Sequence, residues 1–279
     1  MPATHAAIAA ATQNSARSLP ARGLTMMPLS LLIKRHPLAM TSHFEQALVL
    51  TYALPREVVT PLLAPGLELD CFGQYGFLAI AMVQTRNVRP QYLPSWLGRD
   101  FFLTGYRIFP RYRTASGRTL RGLRILRSDT DSETMVRWGN RLTHYNYQKV
   151  NVDYRRTESA IDFKVVTRDG AADLRVRADL SNEPNSLPAG SPFPDFRTAR
   201  RFAGPLPFTF DYEPETHSIV RIQGIRKQWN PIPVHVDVLQ NSFLQREPFA
   251  CASPILASAF RFANIDYLWK RGVREALNA

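Results

Sequence analysis

From His43 onward, apolar and polar positions begin to alternate, and Phe44, Leu48, Leu50, Tyr52 and Leu54 share one face of a segment that predicts a strand. Pro55 opens a short helix over 56–63, closed by Pro65-Gly66. The run 76–83 is apolar on both faces and predicts a central strand covered from both sides. Pro90 and Pro94 interrupt the loop beyond it. Segments 101–114 and 118–127 predict a hairpin around Ala115-Ser116-Gly117, with Pro110 marking an edge position or a bulge. Thr130-Asp131-Ser132-Glu133 reads as a capping box that starts a helix ending near Arg141, with Met135, Val136 and Leu142 on its apolar side. Strands follow near 147–156, 159–168 and 171–180. The stretch 182–207 is proline-rich around a short basic helix at 195–202 and reads as a surface excursion; further strands lie near 217–226, 233–238 and 254–264. Many strands with few helices predict a mainly β, α+β protein.

Composition narrows the picture. With 279 residues, 45% of them hydrophobic, the chain is long enough to bury a large core. Lysine and arginine outnumber acids 35 to 23, so a net charge of +12 favours anionic partners or serves only solubility. The first acid is Glu45, and the alanine-rich start, followed by a short apolar run broken by Pro28, fits neither a membrane anchor nor an export signal. Residues 1–30 are expected to be a flexible extension, and 31–279 one domain. Cys71 and Cys251 stand apart in apolar sequence and are expected to be buried, reduced thiols.

Candidate chemistry concentrates in 139–151, GNRLTHYNYQKVN, where the predicted helix meets a strand and a histidine, tyrosines, amides and a lysine crowd together. Together with LAPGLELDCFGQYGFLAIAMVQ and FFLTGYRIFPRYRTASGRTLRGLRILRSDTDS, this segment resembles the YqjF-like family (domain of unknown function 2071), within the acetoacetate decarboxylase-like superfamily. The resemblance runs from about Arg35 to near the C-terminus. It implies a curved antiparallel sheet closing into a decarboxylase-like barrel with a few flanking helices.

Acetoacetate decarboxylases condense a lysine amine with the substrate ketone; that lysine, activated beside another cation, is a standard example of a tuned nucleophile. Laid on the superfamily motif, this chain has Tyr147 at the imine-forming position and Gln148 at its neighbour, and the strand 101–113 has no acid after Asp100. The departure argues against classical decarboxylation. Lys149 shares strand parity with Tyr147 and either reaches a substrate or is solvated at a strand edge. His144 is the candidate general acid or base, with a structural histidine as the alternative. Arg107 either faces the interior, where its fork suits a substrate carboxylate, or belongs to an outward stripe with Arg111 and Arg113. Tyr145, Asn146, Tyr147 and Gln148 complete the expected binding set, and Trp229-Asn230-Pro231 with Tyr267-Leu268-Trp269 read as structural wall or plug elements.

The expectation is a cytoplasmic protein with a pocket for a small, anionic molecule, either an enzyme on an oxo- or carboxylated substrate or a non-catalytic binding module. No cofactor, metal, membrane or specific nucleic-acid partner is expected, although Arg197, Arg200 and Arg201 would be the contacts of a nucleic-acid surface. Homo-oligomerisation stays open.

Overall fold

The computed structural model describes residues 32–204 and 206–277, so the expectation for 1–30 lies outside the described residues. The strands are β1 (Met40–Pro55), β2 (Leu67–Leu69), β3 (Tyr75–Pro90), β4 (Arg99–Ile108), β5 (Pro110–Arg113), β6 (Thr119–Thr130), β7 (Tyr147–Arg156) and β8 (Ala160–Thr167). After them come β9 (Leu174–Asp179), β10 (Phe208–Glu213), β11 (Ser218–Arg226), β12 (Ile232–Pro233), β13 (His235–Asn241), β14 (Ile255–Trp269) and β15 (Val273–Ala276). Helices α1 (Arg56–Val59), α2 (Glu133–Leu142) and α3 (Phe196–Ala203) accompany them.

The sheet runs β10-β11-β14-β1-β3-β4-β6-β7-β8-β9-β13. A parallel pairing of β10 with β6 at Phe208 and Thr209 makes a closed circuit of the strands from β10 round to β6. Its centre, β14-β1-β3-β4, is apolar on both faces, as the run 76–83 predicts for β3. One face carries Leu48, Leu50, Leu78, Ile80, Phe102 and Tyr106, packed against Val150, Ile161, Phe163 and Val176 of β7 to β9. The other carries Ala53, Phe77 and Ala79, packed against Ala199 and Ala203 of α3 and Phe193. Phe44 belongs to this second side, apart from Leu48 and Leu50, because a register shift between Phe44 and Gln46 turns the strand over.

Several local expectations are corrected. Ser132, not Thr130, caps α2 by accepting a hydrogen bond from Met135 N at 3.2 Å, while Thr130 Oγ1 accepts from Ser132 N. The predicted 101–114 strand is broken at Phe109, which separates β4 from β5. Pro110 opens β5, whose residues pair with β2 and β6. Both cysteines are free thiols, but Cys251 is exposed and Cys71 only half-buried. No described helix is long and apolar enough to cross a membrane.

Candidate functional site

A cavity of about 130 Å³ lies within the strand circuit, on the α3 side of the central sheet. Its wall comes from β3 (Ala79, Ala81, Val83), β4 (Leu103, Gly105, Arg107), β6 (Leu123, Ile125) and β14 (Phe260, Phe262, Tyr267, Trp269). Leu103, Gly105 and Arg107 on the odd side of β4 face it, joined by Thr104, and Phe102, Tyr106 and Ile108 on the even side fill the opposite core. A cavity of this size admits a guest of roughly six heavy atoms, since an engineered apolar cavity of about 150 Å³ takes up benzene.

Every formally charged residue in the wall is an arginine: Arg107, Arg200 and Arg226. Arg107 is the deep one: its Nε is shut off from solvent, and the residue as a whole is half-buried in the cavity wall. Burial pulls its guanidinium down from its ordinary value, opposed only by the hydroxyls of Tyr267, Tyr145 and Tyr147. Its Nε has no hydrogen-bond partner, and no carboxylate lies within ion-pairing distance of it among the described residues. Gly105 makes room for it: a Cβ there would stand 2.7 Å from Arg107 Nε and 2.8 Å from Nη2. The sequence thus places a cation in an aromatic chamber and withholds the counter-ion, an arrangement that is costly unless an anion arrives. Burial raises the hydroxyls of Tyr145, Tyr147 and Tyr267, so all remain neutral donors.

At the outer end, Arg226 lies over the Trp229 ring at 4.9 Å and also engages Tyr267. Arg200 of α3 donates to the Trp229 carbonyl at 3.2 Å and is exposed. This end of the cavity is basic and reaches solvent beside Arg200. The 229–231 and 267–269 elements therefore do form wall, with Trp229, Pro231, Tyr267 and Trp269 all in the lining.

Tyr147 is positioned by the two residues that begin the GNRLTHYNYQKVN segment. A Cβ on Gly139 would meet the Tyr147 ring at 2.5 Å, so only glycine lets the ring lie against α2. The Asn140 amide brackets the Tyr147 backbone, accepting from its N–H at 2.6 Å and donating to its carbonyl at 2.9 Å. Tyr145 stands in the loop between α2 and β7, its ring edge-on to Tyr147 at 6.1 Å. Its buried hydroxyl lies near Thr209 without a well-formed hydrogen bond.

Of the expected site residues, Arg107, Tyr145 and Tyr147 line the cavity, and the convergence of 144–149 on it is corrected for the rest. His144 sits outside, with Nε2 3.9 Å from Glu213 Oε2, and Glu213 is already held by Arg35 at 2.6 Å. Burial lowers the His144 pKa. Asn146 is an exposed residue of the connection before β7, with φ 53, a left-handed conformation that asparagine tolerates. Gln148 pairs with Asp129 across β6–β7 and is absent from the lining. Lys149 is exposed and donates to the Asp131 carbonyl. It follows Tyr147 on the odd side of β7, which is exposed at Lys149, Asn151 and Asp153, whereas the even-side Val150, Val152 and Tyr154 pack on the core, so the cavity takes Tyr147 alone from this strand. Lys34, Lys149, Lys164, Lys227 and Lys270 are all the lysines of the chain, and none lines the cavity.

Two arginines of the expected outward stripe separate from Arg107. Arg111 pairs with buried Asp70 at 2.5 Å, together with Arg121, and Arg113 is exposed. Two acids escaped the sequence reading because β10 was not foreseen. One is Glu213; the other, Asp211, is buried with Oδ2 unpartnered, and desolvation pushes its pKa up to about 7 against the pull of Arg124 and Lys34. Among the described residues no cluster of histidine, cysteine and acid side chains is arranged to hold a metal ion.

The architecture is that of acetoacetate decarboxylase-like proteins. Acetoacetate decarboxylase from Legionella pneumophila superposes with a TM-score of 0.56 at 11% identity, covering 84% of this chain and 87% of that one. An acetoacetate decarboxylase-like enzyme from Sphingomonas wittichii RW1 gives 0.55 at 12% identity, with 88% and 94% covered. The enduracididine biosynthesis enzyme MppR, complexed with pyruvate, gives 0.56 at 10% identity, with 85% and 90% covered. Within that architecture the chain belongs to the uncharacterized conserved protein family DUF2071, whose model matches residues 41–262. A comparison with curated protein sequences finds no match.

Proposed function

We propose that this protein binds a small, mainly apolar carboxylate without forming a covalent bond to it, within a strand circuit that we read as the barrel of its superfamily. The carboxylate pairs with Arg107, tyrosine hydroxyls supply further donors, and the aromatic and aliphatic wall takes the remainder of the molecule. The carrying observation is a guanidinium in the cavity wall whose buried Nε has no partner and whose cavity holds no acid. Imine chemistry is disfavoured because the cavity wall contains no amine. Two of the similar structures are of named decarboxylase or decarboxylase-like enzymes, and another holds pyruvate. Small oxo- and carboxylic acids are therefore the first ligands to try, and the basic outer end at Arg200 and Arg226 would draw them in.

Calorimetric titration with short carboxylic acids, oxo-acids and their uncharged amides tests this reading. Acids bind, amides of the same shape do not, and Arg107→Met abolishes the difference. Borohydride added to the complex leaves the protein mass unchanged. Equal binding of acid and amide, or a reduced covalent adduct, would overturn the proposal.

A further inference from the structure

A second cavity of about 110 Å³ adjoins the first, and Leu103, Tyr145, Tyr147 and Trp269 belong to the walls of both. The remainder of its lining is nearly all apolar, including Met40, Val88, Phe101, Met135 and Leu142. It reaches the surface beside Trp138, whose side chain is half exposed. None of its lining residues is a lysine, arginine, aspartate or glutamate.

We propose that this cavity receives the apolar tail of the ligand whose carboxylate rests on Arg107, so that the protein selects unbranched acids of medium length. The inference rests on the carboxylate reading above. Arg107 feels both Tyr145 and Tyr147, so the head would sit directly before the partition. The opposite direction leads to Arg226 and Arg200, where a hydrocarbon tail would displace hydrated charge. The two tyrosines are not equally fixed. Tyr147 is locked by Gly139 and Asn140, whereas Tyr145 lies outside regular structure and its backbone N–H bonds only to Thr143 Oγ1 at 3.2 Å. With no well-formed bond at its hydroxyl either, Tyr145 is held by the packing of its ring against Tyr147, Val220 and Ile222, and it is the gate between the two compartments.

The test is a homologous series of linear carboxylic acids from four to twelve carbons, titrated calorimetrically against the wild type, Arg107→Met and Leu142→Trp. By analogy with benzene in its cavity, each compartment takes roughly five or six heavy atoms. Affinity should then rise up to about fourfold per methylene, not stopping near five carbons but continuing to about ten. Leu142→Trp, which fills the second compartment, removes the gain beyond five carbons and leaves the four-carbon acid bound as before. That short acid reports whether the variant has folded. If it has not, a crystal structure with an acid brominated at its far end locates the tail instead, with bromine expected beside Trp138. A plateau at about five carbons with Arg107 dependence intact, or bromine in any other place, overturns the tail compartment alone. Absence of Arg107-dependent binding for every acid overturns the carboxylate reading itself.

Discussion

Replacing Arg107 by methionine should stabilise the unliganded protein, the reverse of the usual result for a large buried side chain. Methionine retains most of the aliphatic stem, which stands opposite Ile125 across β4 and β6, and removes the charged head that lies against Gly105. A buried charge left without its partner destabilises by about 3–5 kcal/mol. The surrounding hydroxyls of Tyr145, Tyr147 and Tyr267 offset part of this for Arg107, so the expected gain is about 2 kcal/mol, or about 5 °C in Tm for a chain of this size. Urea denaturation followed by tryptophan fluorescence at pH 7, in a buffer without carboxylate, reads it directly. Saturating short-chain acid should then reverse the order, raising the wild type by RT ln(1 + [L]/Kd) and leaving the variant unmoved. A variant less stable than the wild type in plain buffer would mean that Arg107 is satisfied by the protein itself, and the argument for a missing anion would fail.

Gly105→Ala presses a methyl group against the movable end of Arg107, so it should cost less than about 1 kcal/mol in stability yet weaken acid binding about tenfold, read by calorimetry. Asn140→Ala removes both hydrogen bonds that bracket Tyr147 and should lower stability by about 1–3 kcal/mol in denaturant, with loss of near-ultraviolet dichroism from the tyrosines. Asp211 has its folded pKa raised from 3.8 to about 7, so its stabilising contribution is complete below about pH 4 and vanishes as pH rises through 7. The difference is at most about 4 kcal/mol. Asp211→Asn should therefore be more stable than the wild type at pH 7.5 and lose the excess towards pH 4. Parallel stability curves for the two proteins would show that Asp211 is not desolvated as described.

Much of the scaffold is legible in the sequence, because the signals there are local. The doubly apolar run of β3, the apolar side of α2 and the basic helix α3 follow from periodicity and punctuation alone. What escapes is whatever depends on a partner. The turnover of β1 at Phe44 and the register shift of β4 against β6 between Tyr106 and Arg107 are settled by neighbouring strands. Lys149 shares the odd side of β7 with Tyr147, but that side is covered only at Tyr147 and is exposed from Lys149 onward, which parity alone does not reveal. The site shows the same division. Arg107 is visible as a candidate, but its isolation from acids is not, since Asp70 captures Arg111 and Arg121 from distant positions in the chain. Gly139 and Asn140 stand at the head of the segment that drew attention first, and their service to Tyr147 emerges only when the helix is set beside the strand.

The most direct measurement is of the Arg107 guanidinium itself. In a nitrogen-15 labelled sample, the Nε–Hε resonance missing from the Arg107→Met spectrum identifies the group. On titration with a short linear acid, that resonance should shift downfield and its hydrogen exchange slow as a carboxylate accepts the free N–H, while the corresponding alcohol leaves it in place. A resonance unmoved by the acid, or moved equally by the alcohol, would contradict the claim that this buried cation awaits an anion.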